Sequence, residues 1–171
     1  MAPRADLFEL GSLALDPGEA RTVELDIELQ PVTVGAQPYE PQPASVPARL
    51  DVSRTVAGWS LRLRFDPAVE GPCTRCLDRA RAALELDLRE YHQPGGGEEL
   101  ASPYIEQGAL DLRAWARDAV VLELPTYILC RENCLGICSA CGENLNDAGP
   151  DHDHPAEPDA RWAKLSDVRF D

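Results

Sequence analysis

Lysine is nearly missing from this 171-residue chain: fifteen of its sixteen cationic side chains are arginine. Histidine occurs three times, methionine once, and aromatic residues make up 6%. Also lacking is a basic balance, because thirty acids against sixteen cations leave a formal charge of −14. That charge argues against tight attachment to DNA or to an anionic membrane through a broad basic face, so neither is an expected partner. It suits a basic partner, or solubility alone. No apolar run approaches the roughly 18 residues that span a bilayer. The opening MAPRADLFELGSLALDPGEA has acids among its apolar positions and no signal-peptide layout, so the expected location is cytoplasmic. There is no glycine-rich phosphate loop, no GxSxG elbow, and no paired carboxylates that stand out from the acidic background.

The length suits one domain, or one domain with a small metal-stapled appendage. Val23, Leu25, Ile27 and Leu29 alternate with polar residues, the period of a half-buried strand that Pro31 ends. From Pro31 to Pro47 the chain is proline-rich and reads as a long surface connection. Val46, Ala48, Leu50 and Val52, then Trp59, Leu61, Leu63 and Phe65, form two alternating runs that read as a β-hairpin. A further strand is expected where Ala80, Ala82, Leu84, Leu86 and Leu88 alternate with polar positions. Strict alternation implies one wet face, as in antiparallel sheets.

QPGGGEELASP reads as a loop, and His92 before it as a surface residue. The period then becomes helical through Leu112, Trp115, Ala116, Ala119 and Val120, with Asp111 placed to cap and Pro125 to stop the helix. The expected class is α+β: an antiparallel sheet of about four to six strands curled toward a barrel, one packed helix, and a zinc-bound C-terminal lobe. The expected division is 1–125 for the sheet domain and 126–171 for the lobe and tail. A short closing helix is expected around Trp162, Leu165 and Val168.

The six cysteines carry the chemistry. Cys73 and Cys76 form CTRC, Cys130 and Cys134 lie four apart, and Cys138 and Cys141 form CSAC ahead of Gly142. In a reducing compartment such spacings point to metal before disulfides. Two thiolates in a CxxC turn can face one cation, and a glycine just after them relieves crowding.

His152 and His154 raise six ligands to eight, which is two tetrahedral sets. One partition gives Cys73, Cys76, Cys130 and Cys134 to one zinc ion and Cys138, Cys141, His152 and His154 to a second. Another joins Cys73 and Cys76 with Cys138 and Cys141 as a single zinc ribbon and leaves Cys130 and Cys134 free. The HxH spacing is too short for paired histidines on a helix, and DHDHP also reads as a solvated acidic loop. Complete four-ligand sets are closed and structural, so no catalytic role is expected. GPCTRC holds the PCxxC half of a zinc-deaminase signature, yet no histidine precedes His92 to supply the HxE half. A thioredoxin-like role would need a βαβ setting, and alternating strands flank CTRC instead.

CTRCL at 73–77, a leucine–aspartate helix start, DAVVLELP at 118–125 and the run CxxxCxGxCxxCGxNLN resemble the bacterial YceD family. In this chain that run holds Cys130, Cys134, Gly136, Cys138, Cys141, Gly142, Asn144, Leu145 and Asn146. The resemblance covers roughly residues 8–171. In that family the tail often continues with a CxC and a DPR-containing ending. Here His152 and His154 stand near the CxC positions, and Pro158, Asp159, Ala160 and Arg161 near the ending.

The resemblance implies a role in the accumulation or processing of large-subunit ribosomal RNA, hence in ribosome assembly. Two modes of action fit. Residues 48–82 hold seven arginines against four acids, making Arg62, Arg64 and Arg75 candidates for contact with precursor ribosomal RNA, or simply the solvated faces of strands. Alternatively the acidity serves an adaptor or chaperone for a basic ribosomal protein. A thiol redox protein or sensor is the third class.

Overall fold

Alternation of apolar and polar side chains drives most of the chain into antiparallel strands. The computed structural model describes residues 7–149 and 151–154. In chain order these form β1 (Leu7–Glu9), β2 (Ala20–Glu28), β3 (Val32–Val34), β4 (Gln37–Pro41), β5 (Ser45–Arg54) and β6 (Trp59–Phe65). There follow β7 (Ala68–Pro72), β8 (Arg79–Ala83), β9 (Leu86–His92), β10 (Ile105–Glu106), β11 (Ala109–Asp111) and α1 (Leu112–Glu123). The strands make three sheets, ordered β1-β11-β10, β2-β5-β6-β9 and β3-β4-β7-β8.

The central sheet contains the expected hairpin, β5 with β6, in a register that sets Leu50 opposite Leu63 and Val52 opposite Leu61. Leu25, Ile27, Leu50, Val52, Leu61 and Leu63 are at most 2% exposed and form the middle of the core. Helix α1 packs against β1, β2 and β9 through Leu112, Trp115, Ala116, Ala119 and Val120. Its cap is the expected one: the Asp111 carboxylate accepts from the Ala114 N–H at 2.9 Å. Regular helix ends at Glu123, ahead of Pro125.

Three expectations need correction. The sheets do not curl into a closed barrel among the described residues: β2 and β9 are the two edges of the central sheet and do not pair with each other. The chain leaves that sheet after β6 to build β7 and β8 in a second one, so among the described residues strands are more numerous than expected and spread over three sheets. Secondly, Pro31–Pro47 is not a plain connection. It contains β3 and β4, joined by a tight turn in which Gly35 and Ala36 both have positive φ (55° and 68°). Tyr39 within it is 1% exposed. Thirdly, the unbroken alternation from Ala80 to Leu88 hides a change of sheet. β8 pairs with β7, whereas β9 pairs with β6.

His92 is half-buried, its Nδ1 accepting from the Ser102 N–H at 3.2 Å, because the QPGGGEELASP segment folds back over it. The closing helix expected around Trp162, Leu165 and Val168 lies outside the described residues. Among the described residues no helix is long and apolar enough to cross a membrane.

Candidate metal centres

The loop between β7 and β8 is six residues, 73–78, held open at its base by the Pro72–Arg79 pair. Inside it the Cys73 N–H donates to the Asp78 carbonyl at 2.6 Å and the Leu77 N–H to the Cys73 carbonyl at 3.0 Å. This turn places the thiols of Cys73 and Cys76 on one side. Leu77 takes the position after the CxxC with φ 65°, a left-handed conformation that leucine adopts at a cost. Tyr39 braces the approach to the turn, its hydroxyl donating to the Pro72 carbonyl at 2.7 Å. Gly71 is required beneath that ring, because a Cβ there would stand 2.4 Å from a Tyr39 ring carbon.

After α1 the chain returns to the same turn. The Thr74 N–H donates to the Ile128 carbonyl at 2.9 Å and the Arg75 guanidinium to the Cys134 carbonyl at 2.9 Å. These bonds bring Cys130 and Cys134 to the CTRC thiols. Cys73 and Cys134 sulfurs are 3.7 Å apart, and those of Cys76 and Cys130 3.5 Å. Cys73, Cys76 and Cys134 are buried, with exposures of 0%, 6% and 1%.

The second group is local. The Cys138 N–H donates to the Glu143 carbonyl at 2.8 Å and the Gly142 N–H to the Cys138 carbonyl at 2.9 Å, the same two bonds that shape the first turn. Gly142, at φ 79°, stands where Leu77 stands in the first. The chain then brings His152 back: its Nε2 lies 3.7 Å from the Cys141 sulfur and 3.2 Å from Nε2 of His154. Glu143 accepts from His152 Nδ1 at 3.1 Å, fixing the ring from outside the cluster. Cys138 is half-buried and Cys141 exposed.

The ligand atoms of Cys73, Cys76, Cys130 and Cys134 all lie within 4.8 Å of one another, as do those of Cys138, Cys141, His152 and His154. Either cluster could hold a metal ion. Tetrahedral zinc with Zn–S of about 2.3 Å and Zn–N of about 2.0–2.1 Å sets S···S edges of about 3.8 Å and N···N edges of about 3.3 Å. The S···S separations of 3.7 and 3.5 Å and the N···N separation of 3.2 Å fit those edges, and a disulfide would need about 2.05 Å. The six cysteines are free.

In the metal-free clusters the surroundings divide the thiols: Cys73, Cys134 and Cys138 are favoured as thiolates, Cys76 and Cys130 as neutral thiols. Burial pushes the Cys73 thiol up, but backbone N–H groups of Cys76, Arg75 and Cys130 outweigh it and bring it down to about 6. His152 pairs with Cys138 and, with the Cys141 and Ala140 N–H groups, holds that thiol at about 6. The same pairing raises His152. Burial raises Cys76 and Cys130, whereas the Asn146 amide lowers Cys134.

The arginine candidates are all engaged. Arg62 makes a two-pronged pair with Asp87 at 2.5 and 2.7 Å, and Arg64 reaches Asp51 at 2.5 Å. Thr22, together with Arg64 and Arg49, holds the Asp51 carboxyl below its ordinary range. Arg75 is spent on the Cys134 carbonyl. Sequence reasoning missed three supporting residues: Asp78, Asn144 and Asn146, which bridge the two clusters. The available signal was the Asn-x-Asn spacing just after the second turn.

The family model described as large ribosomal RNA subunit accumulation protein YceD matches residues 61–169, more than half of the chain and both clusters. The chain belongs to the YceD family. Its match to an uncharacterized protein of Mycobacterium leprae is 29% identical, covering 71% of this chain and 65% of the relative. One from Mycobacterium tuberculosis is 36% identical over 57% of this chain and 49% of the relative. A maize protein named large ribosomal RNA subunit accumulation protein YCED homolog 1, chloroplastic, is 28% identical over 80% of this chain and 57% of its own length. The chain thus spans about half to two-thirds of the length of these curated relatives. No solved structure matches this YceD chain.

Proposed function

We propose that this YceD protein is a non-catalytic zinc-binding factor in large ribosomal subunit assembly, supporting accumulation or processing of large-subunit ribosomal RNA. The observation that carries the reading is the pair of complete four-ligand sets, with zinc-like edges, inside the segment that the family model matches. Each set supplies four protein ligands, leaving a bound ion no open position for water, so the ions would build a surface and not a reaction centre. Cys73, Cys76, Cys130 and Cys134 would hold one ion; Cys138, Cys141, His152 and His154 the other. The first would fasten a sheet domain of residues 1–125 to a lobe beginning near 126. Elemental analysis of purified protein should return about two zinc ions per chain. Depletion in cells should lower mature large-subunit ribosomal RNA relative to the small subunit; zinc-free protein, or an unchanged RNA ratio, refutes the corresponding half.

A second reading is favoured by the ion pairs. Because Arg62 and Arg64 face Asp87 and Asp51, these arginines are poorly placed to spend their charge on RNA phosphates. An adaptor that binds a basic ribosomal protein through the acidic surface fits the net charge of −14 better. Charge reversal of Arg62 and Arg64, with Arg75 left on the Cys134 carbonyl, separates the two. A direct RNA binder loses its crosslinks to precursor RNA, and an adaptor keeps them through its protein partner. Either mode places the protein in the compartment where ribosomes are built.

A further inference from the structure

The two clusters are joined by a hydrogen-bonded bridge that no ligand spacing requires. Asn146 follows the second turn, yet its amide nitrogen donates to the Cys134 sulfur of the first cluster at 3.4 Å. The orientation of that amide is set on every side. Its oxygen accepts from the Leu135 N–H at 2.9 Å and from Arg131 Nε at 3.2 Å, while its nitrogen also donates to the Asn144 side-chain oxygen at 2.8 Å. A flipped amide would point its oxygen at a sulfur and its N–H groups at two donors. Asn144 extends the bridge: its side-chain nitrogen donates to Asp78 Oδ2 at 2.7 Å. That carboxylate oxygen lies 3.4 Å from the Cys76 sulfur, and the Asp78 carbonyl accepts from Cys73.

Two ligands of the first cluster therefore have neighbours positioned from the second. The hairpin that carries both asparagines is shaped by the turn of Cys138 and Cys141, and the Leu145 N–H closes it onto the Gly136 carbonyl at 2.9 Å. Gly136 seats it against CTRC; a Cβ there would lie 3.3 Å from the Arg75 carbonyl oxygen. A four-thiolate zinc site carries a net charge of about −2, so the Asn146 N–H on the Cys134 sulfur stabilises the bound form, while the Asn144 N–H offsets the Asp78 carboxylate charge that stands beside the Cys76 sulfur.

We propose that Asn144 and Asn146 are positioning residues that couple the two ligand sets, so that metal held by Cys138, Cys141, His152 and His154 raises the zinc affinity of Cys73, Cys76, Cys130 and Cys134. This rests on the metal-binding reading above. Ordering the second turn prepays the placement of both asparagines, and by linkage metal in the first set strengthens the second by the same factor.

The test is titration of the metal-free full chain with zinc against a chromophoric chelator, repeated with cobalt, whose absorption distinguishes four-sulfur from mixed sulfur–nitrogen sites. Asn146→Asp keeps the acceptor contacts and replaces the donor with a carboxylate facing the sulfur; Asn146→Ala removes the side chain. Both lower the affinity of the four-cysteine set by about 10–100-fold, while the sulfur–nitrogen band shows that the hairpin still folds. Cys138→Ser with Cys141→Ser weakens the four-cysteine set in the otherwise natural chain but adds little on top of Asn146→Ala. The coupling is overturned if Asn146→Asp leaves that affinity within about twofold, or if the effects of the serine pair and Asn146→Ala simply multiply. If the natural chain binds no metal, the underlying metal reading falls instead.

Discussion

The two clusters use one turn in two settings. Each CxxC is shaped by the same pair of backbone hydrogen bonds, from Cys73 and Leu77 in one case and from Cys138 and Gly142 in the other. The first is buried and ties together sulfurs 54 and 61 positions apart. The second is half open to solvent, closes within one short stretch and includes two histidines. A metal in the first would bear on the whole fold. One in the second would shape only its own hairpin and whatever that hairpin touches.

The sharpest contrast should come from removing ligands. Cys73→Ser with Cys134→Ser should abolish cooperative folding of the tail and lower Tm by on the order of 10 °C or more, seen by circular dichroism with zinc analysis. His152→Ala with His154→Ala should lose one of two zinc ions while the sheets melt within a few degrees of the natural protein. If the histidine pair proves the more damaging, the assignment of global and local roles is reversed.

Thiol reactivity sharpens the same comparison in the metal-free protein. Cys73 and Cys138 both lie at about 6, but only Cys138 has solvent access. Alkylation of Cys138 by iodoacetamide should persist until pH falls through about 6, where an ordinary thiol is already protonated below about 8.5. Cys73 should remain protected. A depressed thiol stabilises the fold fully above the ordinary thiol range, and that contribution is lost as pH falls through about 6. His152, raised by the same pair, contributes below the ordinary imidazole range and loses it as pH rises through its elevated value. Mapping by mass spectrometry that finds Cys73 alkylated as fast as Cys138 removes the distinction.

The smallest effect concerns the residue after each CxxC. Gly142→Ala should destabilise by about 1 kcal/mol, because φ 79° disfavours a Cβ. Leu77→Gly should change stability little, or raise it by less than about 1 kcal/mol, since relief at φ 65° is offset by the freer unfolded chain. Denaturant midpoints of the two variants measure the difference.

Local signals were the legible ones. β5, β6, the Asp111 cap and α1 could be read because period and capping act within a few residues, and the grouping of the cysteines seen in the structure was one of two partitions that their spacing allowed. What could not be read depends on distant partners. Tyr39 looks like loop until Pro72 and Gly71 supply its pocket. The alternation through Ala80 and Leu88 is blind to which sheet each half joins. Asn144 and Asn146 acquire a role only when Asp78 and Cys134 come beside them. The arginine excess in 48–82 was visible, but not that Asp51 and Asp87, 13 and 25 positions from Arg64 and Arg62, come to face them across paired strands.

The long span of the first cluster also sets a schedule for biosynthesis. Cys76 leaves the peptidyl-transferase centre 58 positions before Cys134. At roughly 5–20 residues per second, the CTRC turn waits about 3–12 s for its other two ligands. During that interval β7 and β8 can pair and present two thiols with no means of completing the set, a nascent chain primed for whichever soft metal or thiol reaches it first.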